Sequence, residues 1–200
     1  MSELRQDLHI IEQWIKPNSQ VLDLGCGEGL LLKHLKENKN VRGYGLEIDS
    51  EKITQCIANG LNVIEQDLDK GLNNFKSDSM NTVIMTQALQ AVARPDLMIE
   101  EMLRIGEEAI VTFPNFGYWR IRFYLMLKGR MPMSDTMPYN WYDTPNIHFC
   151  TFRDFEVLCH EKGIRILNKT VVDGQYREHF SMKMWPSFLG EIAIYRIKRK

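Results

Sequence analysis

The sequence predicts an α/β fold: a mostly parallel sheet with helices on both faces and one antiparallel strand near the carboxyl end. Three observations predict it. Short apolar runs alternate with stretches of helical periodicity from the amino end to Phe113. The first such run enters a Gly-rich turn that opens directly into a helix-compatible stretch. The chain then ends on two long strand-like runs joined by a loop with no helical pattern. Alternation implies βαβ units with right-handed crossovers, whereas a helix-free link suits an antiparallel pair.

Taken in order, Leu4, Leu8, Ile11 and Ile15 recur at helical spacing until Pro17-Asn18-Ser19 breaks the pattern. Gln20 to Leu24 is a short apolar strand, and Leu30 to Leu35 continues as a helix after the Gly-rich turn. Val41 to Ile48 reads as a second strand. Ser50-Glu51 then begins a helix with Ile53 and Ile57 on one face. Leu61 to Glu65 and Asn81 to Met85 are the third and fourth strands, the latter rich in β-branched residues. Pro95 opens a helix carrying Leu97, Ile99, Met102 and Leu103, and Ala109 to Phe113 is the fifth strand. A helix near Phe152 to Glu161 precedes the closing strand pair, Ile164 to Val172 and Phe188 to Ile197. No repeat or linker divides the chain, so one domain over 1–200 is expected, with an aromatic-rich insertion at about 114–150.

Composition narrows the function classes. A chain of 200 residues with 44% apolar content can bury about 70% of its unfolded surface. Its net charge of -1 and pI near 6.5 argue against a nucleic-acid groove built on positive potential. The closing basic run, Arg196 to Lys200, reads as the solvated end of a strand. No signal peptide and no membrane span are expected. Cys26, Cys56, Cys150 and Cys159 show no C-x-x-C pair, which predicts a reduced, cytoplasmic protein. His148, Cys150, Cys159 and His160 can be drawn as a metal cluster. Cys159 and His160 are adjacent and point in different directions, so no metal is expected.

The chemistry begins at Val21-Leu22-Asp23-Leu24-Gly25-Cys26-Gly27-Glu28-Gly29. Closely spaced glycines between a strand and a helix let the backbone approach a ligand. Asp23 stands two residues before Gly25, where an anion would repel a pyrophosphate but suit a ligand bearing an ammonium and a sulfonium. The turn also lacks the phosphate-binding G-x-x-x-x-G-K-[ST] pattern. Glu47, about twenty residues beyond the glycines, ends the second strand, where an acid can accept both ribose hydroxyls. In this setting the D-x-G-x-G block resembles the first motif of the class I methyltransferases, and Gly45-Leu46-Glu47-Ile48-Asp49 their second.

That resemblance implies a Rossmann-like class I methyltransferase fold with a seven-stranded sheet. It also implies that S-adenosyl-L-methionine, or S-adenosyl-L-homocysteine, is the ligand. Asp67 would take the adenine amino group and the backbone of Leu68 a ring nitrogen, with Asp69 the weaker choice. Asp23, Gly25, Cys26, Gly27, Glu47, Ile48, Asp67, Leu68 and Gln87 form the expected cofactor-binding set. The fourth strand runs into Thr86-Gln87-Ala88-Leu89-Gln90, not the Asn/Asp-Pro-Pro-Tyr/Phe sequence of enzymes that methylate nucleic-acid bases. No catalytic residue stands out.

About half of the aromatic residues lie between Phe113 and Phe152, with Arg and Met interleaved. Some belong to the core; the composition also fits a protein–protein hot spot or a substrate lid. Here the resemblance narrows further. Pro114-Asn115-Phe116-Gly117, Trp119-Arg120, Gly129-Arg130-Met131-Pro132 and Trp141-Tyr142-Asp143-Thr144-Pro145-Asn146-Ile147-His148 are similar to the MetW family of methionine biosynthesis. So are Gln87-Ala88-Leu89-Gln90-Ala91-Val92 and Arg94-Pro95-Asp96. This resemblance implies a partner that supports homoserine O-acyltransferase. The cofactor motif adds a separate expectation: a chain that binds S-adenosylmethionine, a downstream product, regulates the acylation step. The alternative is an S-adenosylmethionine-dependent methyltransferase acting on a small molecule. A dinucleotide oxidoreductase shares the Gly-rich turn, but Asp23 and the paired closing strands oppose it.

Overall fold

A computed structural model describes residues 5–134 and 136–200. The first helix, α1, spans Gln6–Trp14; Leu4, placed on it by spacing, lies outside the described residues. The strands are β1 (Gln20–Leu24), β2 (Arg42–Glu47), β3 (Asn62–Glu65), β4 (Met80–Thr86), β5 (Gly106–Pro114), β6 (Ile164–Val172) and β7 (Ile192–Arg199). Between them run α2 (Leu30–Lys39), α3 (Ser50–Ala58), α4 (Pro95–Ile105), α5 (Trp119–Lys128), α6 (Phe152–Glu161), α7 (Phe180–Met184) and α8 (Pro186–Leu189). They build one seven-stranded sheet in the order β3-β2-β1-β4-β5-β7-β6. β7 alone runs against its neighbours, pairing antiparallel with both β5 and β6. This is the class I methyltransferase arrangement.

Local chemistry sets the helix ends. The Asp49 carboxylate caps α3 by accepting from the amides of Glu51 and Lys52. Thr151 and Asp154 form a reciprocal capping box on α6. Pro95 opens α4, where its missing N–H removes no helical bond. Two apolar layers then sandwich the sheet. On one face α4 and α6 pack Ile99, Met102 and Phe155 against Val83, Val111 and Tyr195. On the other, α1 and α2 pack Ile11 and Leu35 against Val21, Ile84 and Ile110. The central strands are buried on both faces, which is why they read as continuous apolar runs.

Several expectations are corrected. β7 starts at Ile192, because Pro186 opens the short α8 and draws Phe188 into it. The link between β6 and β7 is therefore not helix-free, although the pairing is antiparallel as expected. On α3 the position facing the core belongs to Cys56, and Ile57 is exposed. On α4 Leu97 is likewise exposed. Helix α5 was not foreseen, for a physical reason: Ile121 is its one buried residue, and Phe123 to Leu127 are all exposed, so no apolar stripe marks it.

Candidate functional site

The chain order reverses between β1 and β4, which makes the carboxyl ends of these strands the switch point where open α/β sheets bind ligands. A cleft of about 950 Å³ opens there. Its floor is the turn Gly25-Cys26-Gly27 with Asp23 and Gln87; α1 and α2 supply His9 and His34 at its wall. Gly25 (φ +71°) and Gly27 (φ +58°) are left-handed, which favours glycine. A Cβ on Gly27 would meet nothing within 4 Å.

Hydrogen bonds hold the turn rigidly to β2. The amides of Gly25 and Cys26 both donate to the Leu46 carbonyl, at 2.8 and 3.0 Å. The Glu47 carboxylate accepts from Gly27 N (2.8 Å), Ile48 N (2.8 Å) and Asp49 N (3.1 Å). Glu47 is thus a buried tether between turn and strand as well as a candidate ribose acceptor. Cys26 Sγ lies 3.9 Å from Cys56 Sγ beneath the turn, and burial pushes both thiols up, so both stay protonated.

Asp23 differs from all its neighbours. It is 1% exposed, and its Oδ1 has no hydrogen-bond partner among the described residues. Burial, reinforced by the charge of Glu47, raises its pKa to about 7. A buried carboxylate with an orphan oxygen beneath a cleft is the arrangement a cationic ligand satisfies.

The other expected residues are less concentrated. Asp67 caps a 3-10 turn, Leu68–Lys70, by accepting from Asp69 N at 3.0 Å, and it pairs with Lys70 at 3.8 Å. Asp69 instead receives the Ala93 amide at 2.8 Å. Neither acid lines the cleft around Asp23. Gln87 does, held at φ +52° by two bonds from its amide to Thr112, and its Nε2 sits 3.5 Å from the Tyr176 hydroxyl.

The structure also brings in residues that the sequence reading missed. Arg5 stacks over the Tyr176 ring at 4.2 Å, so α1 and the β6–β7 connection meet beside Gln87. Gln90, nearly buried, accepts the amides of Ile147 and His148 at 3.0 Å each through its backbone carbonyl. Two separately distinctive segments, Gln87–Val92 and Trp141–His148, therefore lie against each other. Nothing local in either sequence signals this. Of the aromatic residues from Phe113 to Phe152, Phe113, Tyr118 and Phe152 are core. Phe123, Tyr124, Tyr139, Phe149 and above all Trp141 (75%) and Tyr142 (70%) are exposed. A second cavity of about 650 Å³ lies between α5 and the β6–β7 connection, lined by Tyr118, Arg120, Tyr124, Asp173, Arg177 and Glu191 among others. His148, Cys150, Cys159 and His160 form no metal-holding group among the described residues. His148 instead contacts the Ala93 carbonyl, and Cys159 is core. No helix among the described residues is long and apolar enough to cross a membrane.

Comparison with known proteins agrees with this geometry. The fold is shared with an S-adenosylmethionine-dependent methyltransferase from Mesorhizobium loti (TM-score 0.67, 14% identity, 97% of this chain and 98% of that one). A methyltransferase of the same dependence from Aquifex aeolicus gives 0.64 at 14% identity, over 97% and 90%. The [4+2]-cyclase SpnF gives 0.66 at 15% identity, over 97% and 80%, so the fold alone does not fix the reaction. A curated relative, the bifunctional methionine biosynthesis protein MetXA/MetW of Rhodopirellula baltica, is 31% identical over 206 residues. That match covers 98% of this chain, which spans about a third (33%) of the relative's length. The family model for methionine biosynthesis protein MetW matches residues 5–197, and this chain belongs to the MetW family.

Proposed function

We propose that this chain is an S-adenosylmethionine-binding regulatory subunit of a homoserine O-acyltransferase. The observation that carries the partnership is the fused relative, in which a MetW unit shares one polypeptide with MetXA, read here as the acyltransferase. Covalent fusion raises the effective concentration of two units to the millimolar range, a device suited to parts that work in contact. The exposed rings of Trp141 and Tyr142 supply aromatic anchors of the kind that dominate such contacts.

The cleft residues fit the nucleoside. The orphan Oδ1 of Asp23 meets the requirement for a cationic ligand. Glu47 would accept from the ribose: three of its roughly four acceptor sites already hold backbone amides, so about one hydroxyl can be added. Gly25, Cys26 and Gly27 give the ligand a side-chain-free approach and Gln87 closes the β4 side, while Ile48 and the Asp67–Leu68 pair, outside the lining of the cleft, would border the base. S-adenosylmethionine supplies a sulfonium charge and an activated methyl group when bound. Asp23 would orient that charge, and the tethered turn would hold the nucleoside with little reorganisation. A ligand made downstream of the acylation step can regulate it only if it binds one state of the complex more tightly than another.

The test is homoserine acylation by the organism's own acyltransferase, with and without this chain, while S-adenosylmethionine is titrated. Activity that depends on the chain and changes with the nucleoside is expected. Activity indifferent to both would overturn the reading. One observation favours a second reading, a small-molecule methyltransferase: the cavity beside α5 offers an acceptor site, with Tyr118 kept neutral by burial and by the nearby Glu191. Methyl transfer needs chiefly alignment, so a missing base does not oppose it. Release of S-adenosylhomocysteine with a metabolite and no partner present would decide for it.

A further inference from the structure

One cluster stands at the wall of the same cleft, outside the expected cofactor-binding set. His9 and Glu12 stand three residues apart on α1, a spacing that places them on one face, and His34 reaches them from α2. Glu12 Oε2 lies 3.3 Å from His9 Nδ1 and 2.9 Å from His34 Nε2. All three potential ligand atoms fall within 4.8 Å of one another, and the two rings meet edge to face at 5.4 Å.

We propose that His9, Glu12 and His34 form a binding site for one divalent first-row transition-metal ion of the Zn²⁺ class, bridging α1 and α2. Two imidazole nitrogens converge on a single carboxylate oxygen, leaving the other oxygen of Glu12 out of the cluster. Tetrahedral bonds of about 2.0–2.1 Å place ligand atoms about 3.3–3.4 Å apart. The His9–Glu12 separation already has that length, the His34–Glu12 separation is slightly shorter, and the two imidazole nitrogens, within 4.8 Å of each other, would draw together on the ion. Two nitrogens and one carboxylate suit zinc, nickel or copper and disfavour magnesium or calcium, which take oxygen ligands. The set leaves a coordination position for water or an anion, and both imidazoles line the cleft.

The surroundings hold the ligands in place before any ion arrives. Lys39 Nζ donates to the carbonyls of Glu12 and Ile15, fixing the last turn of α1 on the end of α2. Glu12 is half-buried between the two rings, so its carboxylate is held facing both imidazoles. The Asn38 amide, one turn along α2, lies 3.2 Å from His34 Nδ1. The same amide nitrogen donates to the His34 carbonyl at 2.9 Å, which anchors Asn38 beside the ring. The cysteines stand apart from the cluster, so the site needs no thiolate.

The experiment uses the full chain, stripped with a chelator and titrated with Co²⁺ and then Zn²⁺. One saturable equivalent with visible cobalt d–d absorption is expected. Glu12→Gln and His34→Gln should each weaken it at least about tenfold, while Cys150→Ser with Cys159→Ser leaves it unchanged. If the helix variants fold poorly, zinc-induced shifts of the His9 and His34 imidazole signals in the unaltered protein serve as the second measure. Binding that survives both helix substitutions, is lost with the cysteines, or does not saturate below about 1 mM overturns the proposal. So do imidazole signals that zinc leaves unmoved. These outcomes are independent of nucleoside binding and of the acyltransferase.

Discussion

The Gly-rich turn after β1 and the aromatic segment between α5 and α6 both border the carboxyl ends of the strands, yet they are built in opposite ways. In the turn, the amides of Gly25, Cys26 and Gly27 are all paired, and the one group left over is a buried carboxylate oxygen of Asp23. In the aromatic segment the polar anchors are few, such as the amides of Ile147 and His148 on Gln90, and what is left over is apolar area on Trp141 and Tyr142. Each leftover costs free energy in the isolated chain. A cation removes the first cost and another apolar surface removes the second. The difference teaches which kind of ligand each region is shaped for.

Substitution at Asp23 has the largest expected effect. Asp23→Asn should weaken S-adenosylhomocysteine and S-adenosylmethionine binding by about a hundredfold or more, measured by calorimetry, because a ligand cation loses its buried counter-charge. The same change should raise thermal stability near pH 8. Between the unfolded value of 3.8 and the folded value of about 7, the unfolded chain is ionised while the folded chain keeps a proton. Stability therefore falls as pH rises through that window, and the full cost, on the order of 4 kcal/mol, persists above it. Asp23→Asn removes this dependence. An equal or lower melting temperature at pH 8 would mean that Asp23 carries a structural bond instead.

Glu47→Ala should weaken nucleoside binding about tenfold to a hundredfold. Unlike Asp23→Asn it should also destabilise the fold by roughly 1–3 kcal/mol, since three backbone amides lose their acceptor. Denaturant melts of the two variants, shifted in opposite directions, would sharpen the contrast between an orphan carboxylate and a tethered one. In the aromatic segment, Trp141→Ala with Tyr142→Ala should weaken acyltransferase association by at least about tenfold. Melting temperature and S-adenosylhomocysteine affinity should be unmoved. Retained association would place the interface elsewhere.

The smaller effects refine the cleft. Affinity for the cationic nucleoside should rise roughly tenfold from pH 6 to pH 8 as Asp23 ionises, and Asp23→Asn should flatten that rise. Asp67→Ala should cost only a few-fold, because the carboxylate already serves as the cap of its own turn. A loss as large as that at Glu47 would show that the turn reshapes around the base.

Much of this was legible without a fold. The strands β1 and β6 and the helix α6 begin and end where the apolar runs and caps say they should, because those signals are local. The Gly-rich turn, Asp23 and Glu47 were legible for a different reason: their spacing along one βαβ unit fixes their distance in space. Helix α5 was hidden because its apolar residues surround the axis. The start of β7 was misplaced because Phe188 is as apolar as a strand residue but follows a proline that opens a helix.

The alternation of elements, the antiparallel ending, the Gly-rich turn and the acid at the end of β2 can be read from residue order alone, because periodicity, capping and backbone sterics act within a short span. Packing alone sets which acid is orphaned and which is tethered, that Gln90 meets the Trp141–His148 block, that Cys26 faces Cys56, and that His9 and Glu12 meet His34. Apart from the local bonds of Glu47 to Ile48 and Asp49, those pairings join positions twenty or more residues apart, and only the packing of α1, α2 and the connecting loops onto one sheet brings them within reach.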